Sequence, residues 1–184
     1  MNNIDFKILE EILNSREDRA NKQIEILREY PYSLISFTLN TPGIVKSSDL
    51  YNMIHQLGVD SIIKLLDNKG VQIRYKEVLN KSTGNEGYIS VDMDAKELKG
   101  LMVSIEINNE LGRIFDIDVF DKEHNQMSRT DLGLETRKCL LCNKDAKVCM
   151  REKNHTYEEL IERIEQLSKQ FFDAEKSNMN SYYD

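Results

Sequence analysis

The octapeptide RIFDIDVF at 113–120 constrains the fold more tightly than any other stretch of the chain. Its apolar and charged residues alternate, as they do in a strand whose side chains point to opposite faces with period 2. Ile114, Asp116 and Asp118 fall on one face, and Phe115, Ile117 and Val119 fall on the other. One face can therefore bury apolar groups while the other presents two carboxylates, separated by roughly 6–7 Å of backbone. Such a pair suits Mg²⁺, which takes one or two carboxylates and fills its shell with waters and substrate phosphates. D-x-D is short and common, so the solvated face of an ordinary strand also satisfies it.

The rest of the chain supplies neighbours for that strand. Residues 4–29 carry Ile4, Ile8, Ile12, Ala20, Ile24 and Leu27 at near-helical spacing, and Pro31 ends the pattern. A second stripe on the same helix, Arg16, Arg19 and Gln23, either faces solvent or points into a phosphate-binding cleft. SLISFTLN at 33–40 reads as a strand. Pro42-Gly43 then forces a turn. Lys46 precedes Ser47, Ser48 and Asp49, which can cap a helix over 49–67, and a lysine beside a helix N-terminus can meet an anion. VQIRYKEVL at 71–79 alternates as a half-exposed strand, NKSTGNEG is a polar turn, and GYISVDM at 87–93 is the next strand. A helix over 94–109, with Leu98, Leu101, Met102, Ile105 and Glu106, is broken by Gly112 ahead of RIFDIDVF.

The order β-α-β-β-α-β implies an α+β protein with a ferredoxin-like core, in which helices cover one face of an antiparallel sheet. The N-terminal helix, a cysteine-rich segment and a last helix over 156–172 are additions, the last opened by a capping box from Thr156 to Glu159. The tail over 174–184 is expected to fray. At 184 residues the chain is read as one domain.

All the cysteines lie in one short segment: Cys139, Cys142 and Cys149, with His155 close behind. Thiolates and imidazole at these spacings can enclose a tetrahedral Zn²⁺, with a Cys/His subsite over 137–155. The alternative is three reduced thiols packed as small apolar groups. His155 could instead act as a general base, and the two roles compete for one nitrogen lone pair. An odd number of cysteines behind an acidic, amphipathic N-terminus points to the reducing cytoplasm. No apolar run approaches the ~20 residues of a transmembrane helix, so no membrane partner is expected. The net charge of −7 argues against a nucleic-acid coat protein. The charge is uneven, however: residues 136–155 carry six Lys/Arg against two Asp/Glu, and residues 156–184 carry three against seven. A basic pocket followed by an acidic helix makes the field local.

With these segments in view, the chain resembles the apo-citrate lyase phosphoribosyl-dephospho-CoA transferases, also called holo-citrate lyase synthases. The likeness covers nearly all of 8–167. It is carried most strongly by LGRIFDIDV at 111–119, SRTDLGLETRKCLLC at 128–142 and AKVCMREKNH at 146–155, with REDRANKQ at 16–23 and SFTLNTPGIVK at 36–46 in support. Ile44 stands where the family's pattern has proline. The resemblance implies transfer of a phosphoribosyl-dephospho-CoA group from triphosphoribosyl-dephospho-CoA to a serine of the acyl carrier (gamma) subunit of apo-citrate lyase, with release of pyrophosphate.

On that reading Asp116 and Asp118 hold Mg²⁺, and one of them helps deprotonate the serine. Arg16, Arg19, Lys46, Arg113, Arg129, Arg137 and Arg151 are then candidate phosphate binders, because guanidinium groups clamp phosphate oxygens in pairs. Arg113 lies on the strand face opposite Asp116, so it reaches phosphates only from the strand's entry. Two rivals stand beside this reading. One is a zinc-stabilised module that grips a carrier protein or RNA without chemistry. The other is a related transferase acting on a malonate decarboxylase carrier subunit.

Overall fold

A computed structural model describes residues 3–180, with side chains described over residues 7–177. The elements run α1 (Asn3–Glu29), β1 (Ser33–Leu39), α2 (Asp49–Asn68), β2 (Ile73–Leu79), β3 (Glu86–Val91), α3 (Ala95–Asn108), β4 (Phe115–Phe120), β5 (Gln126–Met127), a 3₁₀ turn (Thr130–Leu132), α4 (Ala146–Arg151) and α5 (Tyr157–Asn180). The strands form one antiparallel sheet in the order β2-β3-β1-β4-β5. The class is α+β, and the expected β-α-β-β-α-β succession runs from β1 to β4.

Local chemistry sets the helix starts. Ser48 Oγ accepts the Tyr51 amide at 3.2 Å. The Asp94 carboxylate accepts the amides of Lys96 and Glu97 at 2.9 and 3.0 Å. Each bond satisfies a donor that the first helical turn leaves without a partner. The Thr156 amide donates to the Glu159 carboxylate at 2.7 Å and the Glu159 amide to Thr156 Oγ1 at 3.2 Å, so the capping box opens α5 as expected.

One face of the sheet is apolar. Ile35 and Phe37 of β1, Ile89 and Val91 of β3, and Phe115, Ile117 and Val119 of β4 bury against Ile54, Ile62 and Leu66 of α2 and against Leu98 and Met102 of α3. Ile164 of α5 is buried in the same cluster, with Leu167, Phe171 and Phe172 packed against it. Ile114 also belongs to this core and not to the carboxylate face. The strand starts at Phe115, and residue 114 still lies in the turn after α3, so the alternation of β4 does not reach it.

The other face is mixed, and α1 lies over it. Ile26 and Leu27 pack with Leu34, Tyr88 and Phe120 at one end. Toward the helix N-terminus the contacts turn polar: Gln23 Nε2 donates to Ser36 Oγ at 2.9 Å, and Arg19 Nε donates to Glu86 Oε1 at 3.2 Å. The stripe of Ile8, Ile12, Ala20 and Ile24 is therefore not the buried one. Ala20 is exposed, and the three isoleucines are half-buried. The side chain of Ile4 lies outside the described residues. Two stripes at helical spacing compete on α1, and the polar face of the sheet selects the polar stripe.

α5 continues through residues 174–180, where fraying is expected from the sequence. Phe171 and Phe172 pack on the core just before that stretch, and the good helix formers Ala174, Glu175 and Lys176 carry the helix on. Residues 181–184 lie outside the described residues. Among the described residues, no helix is long and apolar enough to cross a membrane.

Candidate functional site

The carboxylate pair sits where the sequence puts it, on the face of β4 turned away from the main core. Asp116 pairs in register with Thr38 and Asp118 with Ser36 of β1. Ser36 is in turn held by Gln23 of α1. Asp116 opens into a cavity of about 120 Å³ between α1, the end of β1 and the loop before β3. Arg16 and Arg19 of α1, Lys46 of the β1–α2 loop, and the amides of Asn40, Asn52 and Asn85 also line it. Of the seven cations expected to meet phosphate, three thus share one cavity with Asp116.

The two aspartates have different surroundings. Arg137 Nη1 donates to Asp116 Oδ1 at 3.3 Å, and the Asp116 side chain is 45% exposed. Gln126 Nε2, from β5, donates to Asp118 Oδ1 at 2.7 Å. Burial, and then the neighbouring Asp116 charge, push the Asp118 carboxyl above its usual range, opposed by Lys99, Gln126 and Arg137. Among the described residues, no hydrogen bond to Oδ2 of either aspartate is made. A free oxygen on each of two same-face, mutually repelling carboxylates is a donor set that fits a divalent cation.

Two buried acids that the sequence reading did not place in the site organise the surrounding cations. Glu106, at the end of α3, takes Arg129 and Arg137 together, the latter at 2.8 Å, with its own side chain 2% exposed. Arg137 therefore bridges Glu106 and Asp116. Glu86, at the start of β3, takes Arg19 at 3.2 Å, Lys81 at 2.7 Å and the Tyr88 hydroxyl at 2.7 Å. Burial pushes the Glu86 carboxyl up, but the hydrogen bonds from Lys81 and Tyr88 and the charge of Arg19 outweigh it, and the net direction is down. The signal for Glu106 was in the sequence, since it falls on the apolar stripe of α3 one place after Ile105. A charge on a core stripe needs a buried partner.

The remaining candidates spread out. Arg113 Nη1 donates to the Cys139 carbonyl at 2.9 Å, so it braces the cysteine segment from the start of β4. Arg151 is exposed at the end of α4 and is not among the cavity residues. Lys46 Nζ donates to the Thr41 carbonyl at 2.5 Å. Burial, and then the nearby Arg16 charge, hold the Lys46 ammonium below the usual lysine range.

The cysteine segment closes on itself. Cys139 Sγ and Cys149 Sγ are 3.3 Å apart, and Cys142 Sγ and Cys149 Sγ are 3.8 Å apart. One ligand atom from each of Cys139, Cys142, Cys149 and His155 falls within 4.8 Å of all the others. Tetrahedral Zn–S bonds of about 2.3 Å place sulfurs about 3.8 Å apart, close to what is seen. His155 Nε2 is buried and has no hydrogen-bond partner. Burial raises the Cys139 thiol, but the backbone amides of Leu141 and Cys142 and the neighbouring thiols outweigh it, so its pKa is lowered. Burial first, and then its neighbours, push Cys149 up to about 11. Three thiols in contact with one depressed pKa, beside an orphaned imidazole nitrogen, could bind a metal such as zinc. The cluster takes up His155, which the sequence also offered as a base.

Comparison with known proteins covers both features. The family model described as apo-citrate lyase phosphoribosyl-dephospho-CoA transferase matches residues 7–171. A protein of that description from Escherichia coli O7:K1 (strain IAI39 / ExPEC) is 37% identical over 170 residues, spanning 92% of this chain and 91% of the relative. Proteins of the same description from Escherichia coli O1:K1 / APEC and Shigella boydii serotype 18 (strain CDC 3083-94 / BS512) are each 36% identical over 170 residues. The coverage of these two is the same, 92% of this chain and 91% of the relative.

Proposed function

The chain belongs to the apo-citrate lyase phosphoribosyl-dephospho-CoA transferase family, and from that premise we propose that it attaches the phosphoribosyl-dephospho-CoA group to a serine of the apo-citrate lyase acyl carrier subunit. The serine oxygen attacks the α-phosphorus of the triphosphate donor. A new P–O bond forms to the serine, the bond from the α-phosphorus to the bridging oxygen breaks, and pyrophosphate leaves. The serine proton passes to a carboxylate of the Asp116–Asp118 face. The observation that carries this reading is that Asp116 opens into the cavity walled by Arg16, Arg19 and Lys46.

Asp116 and Asp118 would hold Mg²⁺, which when bound neutralises charge on the phosphoryl oxygens and leaving group. The protein's own work is positional. Arg137 holds Asp116 from one side, Gln126 holds Asp118 from the other, and α1 roofs the face through Gln23 and Arg19. The cysteine cluster would hold Zn²⁺ as a structural brace, with His155 as fourth ligand. Its link to the site is short: Arg137, two residues before Cys139, reaches Asp116, and Arg113 donates to the Cys139 carbonyl. Free thiols of this kind belong to a reducing cytoplasm.

The test follows pyrophosphate in a mixture of protein, donor, Mg²⁺ and apo-subunit. One pyrophosphate should appear per carrier chain loaded, and none when either the donor or the carrier is left out. Release that proceeds equally without the carrier would make the protein a pyrophosphohydrolase and overturn the reading.

A further inference from the structure

The seven cations expected to meet phosphate do not have the same freedom. Arg19 is committed to Glu86, and Arg129 and Arg137 to Glu106, while Arg113 reaches the Cys139 carbonyl and is not among the cavity residues. A guanidinium already bonded to a buried carboxylate has its charge neutralised there, and displacing it strands the buried acid without a partner. Arg151 stands on the surface, away from the cavity. That leaves Arg16 and Lys46. Both line the cavity beside Asp116, and among the described residues neither is paired with a carboxylate; Lys46 Nζ donates to the Thr41 carbonyl, which leaves its charge unneutralised. Burial, and then the Arg16 charge, hold the Lys46 ammonium below the usual lysine range. Two like charges lining one cavity repel one another, and an anion bound between them relieves that repulsion. The amide side chains of Asn40 and Asn52 on the same walls add hydrogen-bond donors for anionic oxygens, Asn52 being held there by the Asn85 amide, which donates to its Oδ1 at 2.9 Å.

We propose that this cavity is a diphosphate subsite, with Arg16 and Lys46 as its two cationic ligands. Building on the transfer reaction proposed above, it holds the β- and γ-phosphates of the donor, the part that departs as pyrophosphate. The α-phosphorus then sits at the mouth of the cavity, beside Asp116. Glu106, Arg129 and Arg137 act on the other side of the carboxylates as a positioning clamp and do not touch the leaving group.

The probe is inorganic pyrophosphate, titrated by calorimetry into the full chain with Mg²⁺. Arg16→Ala and Lys46→Gln should each weaken its binding about tenfold or more, the loss expected for one charge-assisted contact. Arg16→Lys should recover part of the loss. Lys64→Ala, which removes an exposed charge from α2, should bind pyrophosphate like the parent and so control for bulk charge. Arg16 is exposed, so its replacement by alanine reports on binding and not on folding. Pyrophosphate binding that is undetectable in the parent, or unchanged in both Arg16→Ala and Lys46→Gln, overturns the subsite. Carrier loading is measured separately by mass. Loading with unaffected pyrophosphate affinity in the variants leaves the transfer reaction standing and removes this subsite. Pyrophosphate affinity lost in the variants without any loading by the parent keeps the subsite and removes the transfer.

Discussion

Asp116 and Asp118 are two residues apart and share a face, yet each is held by a different neighbour, Arg137 for one and Gln126 for the other. Replacing either by asparagine removes charge but almost no volume. Asp116→Asn and Asp118→Asn should each lower transfer by orders of magnitude while the unfolding midpoint moves little. Near-normal turnover in both would exclude a metal-binding role. Glu86 makes the opposite prediction, on stability. Its folded pKa lies below the ordinary 4.5. Its ion pairs therefore stabilise the fold fully above that value, and the contribution is lost as pH falls through the lower, folded value. Glu86→Gln should destabilise the protein at neutral pH by about 1.5–3 kcal/mol, the scale of a charged hydrogen bond. Its stability should also fall less steeply than the parent's below pH 4.5. Parallel acid profiles for the two proteins would show that Glu86 does not supply this linkage.

At the scale of elements, helix α2 lies on the sheet as closely as its glycine permits. A Cβ on Gly58 would come within 2.3 Å of the Phe37 ring, in the fully packed part of the core. Gly58→Val should cost about 1–3 kcal/mol or more, read as a lower urea midpoint, unless α2 moves off the sheet. The cysteine segment is the other element with a sharp prediction. Protein purified without chelator should carry about one zinc per chain, and Cys139→Ser should lose it and melt at a lower temperature. Fully folded, active, metal-free protein would leave three packed thiols as the better account. Regular elements were readable because their apolar periods and caps are local: Ser48, Asp94 and Thr156 each start a helix where the sequence suggests. The short elements were not. β5 has two residues and α4 six, too few to show a period. The orientation of α1 also escaped, because its helical spacing supports both an isoleucine stripe and a polar one, and only the far side of the sheet decides between them.

At the scale of the molecule, the sequence displayed the chemistry but not its pairing. RIFDIDVF identified the carboxylate face, and the spacing of Cys139, Cys142, Cys149 and His155 identified the cluster. Which cations are left without an acid depends on Glu86, brought to Arg19, and on Glu106, brought to Arg129 and Arg137, across tens of residues of chain, and no local pattern records that. The net charge of −7 likewise says nothing of a cavity in which Arg16 and Lys46 stand together. The carboxylate pair, its clamp and the cationic cavity combine into one claim, that this protein builds a phosphodiester on a carrier serine. Intact-mass spectrometry of the apo-citrate lyase acyl carrier subunit tests it most directly, after incubation with donor, Mg²⁺ and either the parent protein or Asp116→Asn. The expected result is a mass gain equal to one prosthetic group with the parent, located on a serine, and almost none with the variant in the same time. An unmodified carrier with the parent, or equal loading by the two proteins, would contradict it.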